Sequence, residues 1–335
     1  MKKTLAPTPP MGWNSWDCYG AGVTEKALRE NARFMAAHLL SYGWNTLVCD
    51  IQWYEPQAKG NEYNNFAPVC MDDYGRLLPA ENRFPSAAGG KGFGPIADYC
   101  HSLGLRFGIH IMRGIPRQAV HRDTPILGTD FTARDAAHHF SVCAWNTDMY
   151  GMRDNAAAQS YYDSICRLYA DWGVDFIKCD DPYNARHEIE MLHRSLQNCG
   201  REVVLSLSPG PADVSNLPHL RRHAQMWRMT GDFWDRWDKL HDMFDRCKTW
   251  EGVPGPGCWP DCDMLPVGRL CKDAPYHGAQ NRMSNFTPDE VRTMFTLWGI
   301  FRSPLFLGGD LPEMPADVLA MLTNEDYLQM HATSY

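Results

Sequence analysis

The chain has 335 residues, 32 basic and 40 acidic side chains, a formal net charge of −8, and 44% apolar against 21% charged residues. That is the composition of a folded chain with a large core, and its acidic balance argues against a nucleic-acid or anionic-membrane partner. No apolar run approaches the roughly 18 residues of a membrane span, and the opening MKKTLAPTPPMGW has two lysines with no apolar stretch behind them, so no signal peptide is read. As it stands the chain reads as cytoplasmic, or as exported if a leader has been removed.

Taken in chain order, short β-rich runs alternate with helical patterns. Strands are predicted at 10–16, 45–51, 106–111, 175–181, 203–208, 225–231, 258–265 and 303–308, several of them continuous apolar runs suited to burial on both faces. Residues 24–42 carry Leu28, Ala32, Met35 and Leu39 at helical spacing, with Thr24 as N-cap, Val23 and Leu28 as a hydrophobic staple, and Gly43 as the stop. Helices follow at 93–103, 158–172, 186–198 and 236–249. The last pattern, 287–302, opens with Thr287 as cap, Pro288 at the first helical position and Glu290 closing a capping box. Eight strands with intervening helices imply a single (β/α)8 TIM barrel spanning 1–335. A doubly wound open sheet is the alternative, but no G-x-G-x-x-G turn and no P-loop support it. The stretch 112–157 is a long insertion after the third strand, expected to lie over the active face and to supply part of the specificity through Arg113, Trp145 or Asp148.

Twelve cysteines are spread along the chain and read mostly as buried thiols. Cys258, Cys262 and Cys271 cluster, but without C-x2-C spacing, so no metal site is expected; disulfides would require export. Acidic residues fall at the C-terminal ends of the strands: Asp50, Asp180 and Asp181, Asp232, Asp261 and Asp263. Any one of them is ordinarily a helix N-cap, but in a barrel these ends converge on one mouth. Two carboxylates flanking a sugar bond are the usual equipment for glycoside hydrolysis, one ionised and one protonated. Lys178 shares a strand face with Asp180 and is expected to keep it ionised, whereas Trp227, Phe233 and Trp234 around Asp232 favour a protonated acid. Trp13, Trp16, Trp53, Trp227, Trp234, Trp237 and Trp259 lie at or near strand ends, where an indole face can stack on a sugar ring.

These segments together resemble glycoside hydrolase family 27, the α-galactosidase and α-N-acetylgalactosaminidase family. TPPMGWNSWDCYG at 8–20 resembles its opening strand, and the resemblance places Trp13 as the sugar-stacking tryptophan. DWGVDFIKCDD at 171–181 resembles the nucleophile strand and implies Asp180 as nucleophile. MWRMTGDFWDRW at 226–237 implies Arg228 as a sugar-binding arginine and Asp232 as acid/base, and GPGCWPDCDML at 255–265 implies Asp263 as a substrate-binding aspartate. TPDEVRTMFTLWGIFRSPLFLGGDL at 287–311 resembles the last helix and strand.

The departures bear on specificity. After the second strand the family's α-galactosidases have paired aspartates; here Asp50 is followed by Ile51, with Trp53 beyond. That alters recognition around C4 and C6. After the fifth strand a Cys-Glu-Trp is replaced by Ser206-Leu207-Ser208, and the small Ser208 could admit a 2-N-acetyl group. His110 stands where a tyrosine is usual, and Pro182 where relatives have a cysteine. Family members usually add a C-terminal β domain; the expectation here is either a barrel alone, with a second subunit over the face that domain would cover, or a longer chain of which this is part.

The resemblance implies a retaining exo-glycosidase for terminal galactose-configured sugars on oligosaccharides or glycoconjugates. It would need no cofactor, and its carboxyl groups would stand about 5–5.5 Å apart. Within that class an α-galactosidase leads, followed by a β-L-arabinopyranosidase and an α-N-acetylgalactosaminidase. Outside it stand a metal-dependent barrel hydrolase using Asp180, Asp181 and His110, and a non-catalytic sugar-binding barrel.

Overall fold

The computed structural model describes residues 4–182, 185–272 and 280–334. Eight parallel strands form one sheet: β1 (Met11–Asn14), β2 (Thr46–Cys49), β3 (Arg106–Met112), β4 (Phe176–Asp180), β5 (Val204–Ser208), β6 (Met226–Arg228), β7 (Trp259–Asp261) and β8 (Leu305–Leu307). In space they run β7-β6-β5-β4-β3-β2-β1-β8. Leu265, just past β7, makes a parallel bridge to Leu307, and its N–H donates to Phe306 O at 2.7 Å. That link brings the two sheet edges together, so the expected barrel is present and the open doubly wound sheet is not.

Each strand is followed by a helix: α1 (Glu25–His38), α2 (Gly94–Ser102), α3 (Ala156–Asp171), α4 (Arg186–Asn198), α5 (Leu217–His223), α6 (Trp237–Thr249), α7 (Pro288–Phe301) and α8 (Ala316–Leu322). The helix starts obey their cap residues. Thr24 accepts from Ala27 N–H, and Thr287 and Glu290 form the reciprocal capping box. The stop at Gly43 is two-stage: α1 ends at His38, and a 3-10 turn at Leu40–Tyr42 runs on to Gly43, whose φ of 93° suits a residue without Cβ. The short α5 is absent from the sequence-based set because seven residues carry too few apolar positions to show a period.

Side chains alternate along each strand, and this sorts the barrel interior by height. Val48, Phe176, Val204, Met226, Trp259 and Phe306 form a separate apolar cluster at its floor. Two residues further along β4, β5 and β6 the inward positions are Lys178, Ser206 and Arg228, and two further on β4 and β5 they are Asp180 and Ser208. The apolar floor fixes the barrel. The polar upper layers cannot be satisfied by hydrocarbon, so they must pair with each other or with something that enters the mouth.

Two long segments cover that mouth. Residues 50–93 link β2 to α2, and 113–155, the body of the expected 112–157 insertion, link β3 to α3. The second folds a three-stranded antiparallel sheet, with Met149–Met152 between Ile115–Pro116 and Ala137–Val142. The segments are tied by Asp148, whose Oδ2 accepts from Gln52 Nε2 at 2.6 Å and from Tyr54 OH at 2.8 Å. No helix among the described residues is long and apolar enough to cross a membrane.

Candidate active site

At the C-terminal ends of the strands lies a cavity of about 470 Å3. Asp50, Ile51, Lys178, Asp180, Ser208, Arg228, Asp232 and Asp263 all line it. Residues more than two hundred positions apart in sequence therefore meet around one space, in the place where barrel enzymes carry their chemistry.

Two ion-paired groups organise the wall. In the first, Lys178 Nζ donates to Asp50 Oδ2 at 2.8 Å, Asn14 Nδ2 donates to the same oxygen at 2.7 Å, and Ile51 N–H donates to Asp50 Oδ1 at 2.8 Å. Burial opposes the charge on Asp50, but Lys178 and the hydrogen bonds outweigh it and hold the carboxyl below its usual range. The direct partner of Lys178 is thus Asp50, not Asp180. In the second group Arg228 donates to Asp232 Oδ1 at 2.8 Å and to Ser208 Oγ at 3.3 Å, and lies 3.6 Å from Asp263 Oδ1. Asp263 Oδ2 accepts from Phe233 N–H at 2.8 Å, which fixes the loop that carries Asp232.

Asp180 stands between the two groups. Burial works against its charge, yet a hydrogen bond to His110 Nε2 at 3.2 Å, together with the fields of His110, Lys178 and Arg228, holds its carboxyl below the ordinary value. Its Oδ1 also accepts from Asp181 N–H at 2.8 Å. Arg113, at the start of the insertion, donates from its backbone to Asp180 O at 3.0 Å and pairs with Asp181 and Glu188. The tip of β4 is therefore clamped from outside the cavity.

Four sequence expectations need correction. Trp13 offers no stacking face: it is wholly buried, with its Nε1 donating to Gly309 O at 2.8 Å. Gly12 and Asn14 face the barrel interior, so period-2 alternation turns Trp13 outward to the helices. Trp53 is likewise enclosed, and its Nε1 donates to His110 O at 2.8 Å. His110 does point inward, but Asp180 covers it, so it braces a carboxylate instead of meeting a sugar. Asp232 is not wrapped in apolar side chains; its side chain is 63% exposed and salt-bridged to Arg228. Of the three insertion residues expected to shape specificity, Trp145 lines the cavity, whereas Arg113 and Asp148 act behind it.

Trp16 and Trp145, both among the candidates from the sequence, line the cavity together with residues that escaped it. Trp16 packs parallel to Tyr63, with centroids 6.0 Å apart and planes 17° apart, and Tyr63 leans on Trp145 at 5.5 Å. These three rings, from three different segments of the chain, make the aromatic wall that Trp13 was expected to supply. Asn61 and Tyr63 come from the 50–93 segment, which has no periodicity to flag it. Asp17 also lines the cavity; it is buried, its Oδ2 lacks a partner, and burial together with Asp263 raises its pKa well above normal.

Asp261, just below the cavity, is pushed up to about 7 by burial and then by Asp263. A carboxyl raised in the folded state stabilises fully below its unfolded value near 3.8, and that stability is lost as pH rises through about 7. Asp261→Asn keeps an acceptor for Asp263 N–H and removes the titration. It is expected to raise Tm by a few degrees at pH 8 and little at pH 5; equal gains at both pH values would contradict the assignment.

The family model described as Alpha galactosidase A matches residues 150–332. Among curated relatives, Alpha-galactosidase 3 of Arabidopsis thaliana is 26% identical over 332 residues, covering 98% of this chain and 61% of its own length. Alpha-galactosidase A of Homo sapiens is 26% identical over 351 residues, with 98% and 66% covered. The chain thus spans somewhat under two thirds of the first of these. Among solved structures, the family 27 β-L-arabinopyranosidase of Geobacillus stearothermophilus is 55% identical with a TM-score of 0.97, covering 98% of this chain and 78% of that one. A variant of that enzyme has been solved with arabinose bound. A family match over more than half the chain, joined to that degree of identity across a shared barrel, means that this chain belongs to glycoside hydrolase family 27.

Proposed function

We propose that residues 1–335 act as one catalytic barrel, a retaining exo-glycosidase that removes terminal galactose-configured sugars. The observation that carries this reading is that Asp180 and Asp232 line one cavity in unlike settings. Asp180 is half-buried in the cavity wall, braced by His110 and kept ionised, as a nucleophile must be; Asp232 is open to the solvent side, where a leaving group departs and water arrives. Asp180 attacks the anomeric carbon while Asp232 protonates the departing oxygen. Asp232, now a carboxylate, then takes a proton from the water that releases the sugar. Asp50, Lys178, Arg228 and Asp263 hold ring hydroxyls, and the Trp16–Tyr63–Trp145 wall packs against the sugar's C–H face.

Within this class one observation favours β-L-arabinopyranosides over α-galactosides. L-arabinopyranose has the galactose ring without its hydroxymethyl group, and the cavity wall at Ile51 offers hydrocarbon where a second aspartate would offer an acceptor. The 55% identical structural neighbour is a β-L-arabinopyranosidase. An N-acetylgalactosaminidase reading rests on Ser208, whose hydroxyl is already engaged by Arg228.

A panel of nitrophenyl α-galactoside, β-L-arabinopyranoside and α-N-acetylgalactosaminide, with product anomers followed by NMR, tests the proposal. Hydrolysis with retention is expected; inversion, or cleavage of none of the three, overturns it. Asp232→Asn is expected to slow an alkyl glycoside by about 10²-fold or more, while a dinitrophenyl glycoside, whose leaving group needs no proton, forms its glycosyl-enzyme nearly as fast as before. Equal slowing of that first step for both would remove Asp232 from the acid role.

A further inference from the structure

On the flank of the barrel, α4 and α5 bring together four side chains that sugar hydrolysis does not use. Glu190 and His193 stand three apart on α4, and His219 and His223 four apart on α5, so each pair shares a helix face. The two faces meet. His219 Nε2 lies 3.2 Å from Glu190 Oε1, the His219 and His223 ring centroids are 4.6 Å apart, and those of His193 and His223 are 5.0 Å apart. Glu190, His219 and His223 each offer one ligand atom within 4.8 Å of the other two. The Nδ1 of His223 is buried with no hydrogen-bond partner.

Imidazoles packed on imidazoles beside a carboxylate are an awkward arrangement by themselves, because His223 has lost water from one nitrogen and gained nothing. A cation resolves it. We infer that Glu190, His219 and His223 form a site for a zinc-class divalent ion, with the fourth position open to water or to His193. A tetrahedral ion bonded at about 2.0–2.1 Å needs its ligand atoms about 3.3 Å apart. The Glu190–His219 pair already has that spacing, and side-chain rotation of these partly exposed residues closes the rest. Calcium and magnesium fit poorly, since they want oxygen ligands and the set offers one carboxylate. Arg222 lies beside His223 and opposes a cation, so Glu190 supplies the compensating charge.

The ion's role is structural. None of these residues lines the cavity; the helices they join follow β4, which carries Asp180, and β5, which carries Ser208. An ion bound to the native state alone would staple those two βα units together. The H-x3-H pair at 219–223 is visible in the sequence and shares no residue with the cluster of Cys258, Cys262 and Cys271.

The test is titration of the metal-free full chain with Zn2+ by calorimetry and with Co2+ by absorption spectroscopy. One ion per chain at micromolar affinity or tighter is expected, with a higher Tm in zinc. His219→Gln and His223→Gln should each weaken binding at least tenfold, leaving the metal-free Tm and glycoside turnover unchanged. Glu190→Gln serves as an independent variant should either histidine change lower the metal-free Tm. The Co2+ spectrum of the unmodified protein decides regardless of the variants: visible d–d bands without a near-ultraviolet thiolate band support nitrogen and oxygen ligands. A thiolate band, no binding, or undiminished binding in the variants overturns the site.

Discussion

Asp180→Asn is expected to reduce turnover at least about 10³-fold while leaving monosaccharide affinity within a few-fold of the parent. The argument is local. Asn is nearly isosteric, can still receive the His110 and Asp181 contacts, and leaves the Lys178–Asp50 pair intact, so the binding wall survives. What is lost is a negative oxygen able to form a bond to the anomeric carbon. Asp180→Ala sharpens the test, because it opens a hole where azide can sit. Azide attacking from that position should restore product formation and yield a glycosyl azide of inverted configuration; full turnover in Asp180→Asn, or an azide of retained configuration, would refute the nucleophile assignment. The pH profile follows from the same carboxyl. Its pKa lies below the ordinary value, and the ionised form reacts, so activity is complete above that pKa and falls as pH drops through it. The acid limb of kcat/KM is therefore expected below the usual carboxylate range near 3.8. A limb above it would mean that another group controls the acid side.

Much of this site was legible because barrel strands impose two regularities, alternation along each strand and convergence at the C-terminal ends. Lys178 and Asp180 were expected on one face, and they line one wall above Phe176. The same alternation, applied to β1, would have excluded Trp13: Asn14 is the polar inward residue of that strand, so its neighbour must face out, and the tryptophan that lines the cavity is Trp16, past the strand's end. Pairings were less legible than placements. Lys178 lies two residues from Asp180, but its contact is with Asp50, 128 positions away, because β2 and β4, with β3 between them, both end at the mouth and reach the same space inside it. Tyr63 and Asn61 could not be found at all. They stand in the 50–93 segment, which lacks periodicity, and only its path over the mouth, tied down through Gln52, Tyr54 and Asp148, turns them into wall residues.

Ile51→Asp is expected to shift the ratio of kcat/KM for α-galactoside over β-L-arabinopyranoside upward by about 10- to 150-fold, the equivalent of one charge-assisted hydrogen bond of about 1.5–3 kcal/mol. The two sugars share every ring hydroxyl that Asp50, Lys178, Arg228 and Asp263 could hold and differ at C5, where galactose adds a hydroxymethyl group. Against Ile51 that hydroxyl is stripped of water and receives no partner, a cost that arabinopyranose never incurs. A carboxylate at residue 51 accepts from it and at the same time exposes the bare C5 edge of arabinopyranose to a charged surface, so both terms move the ratio the same way. The new charge would lie beside Asp50, whose carboxyl already shares the Lys178 ammonium, and like-charge repulsion will consume part of the gain. Ile51→Asn separates the two effects: it keeps an acceptor and omits the charge, so it should move the ratio in the same direction with less loss of overall rate. If neither variant changes the ratio, Ile51 does not face the C5 substituent, and discrimination must come from the Trp16–Tyr63–Trp145 wall, where truncating Tyr63 would then alter the preference instead.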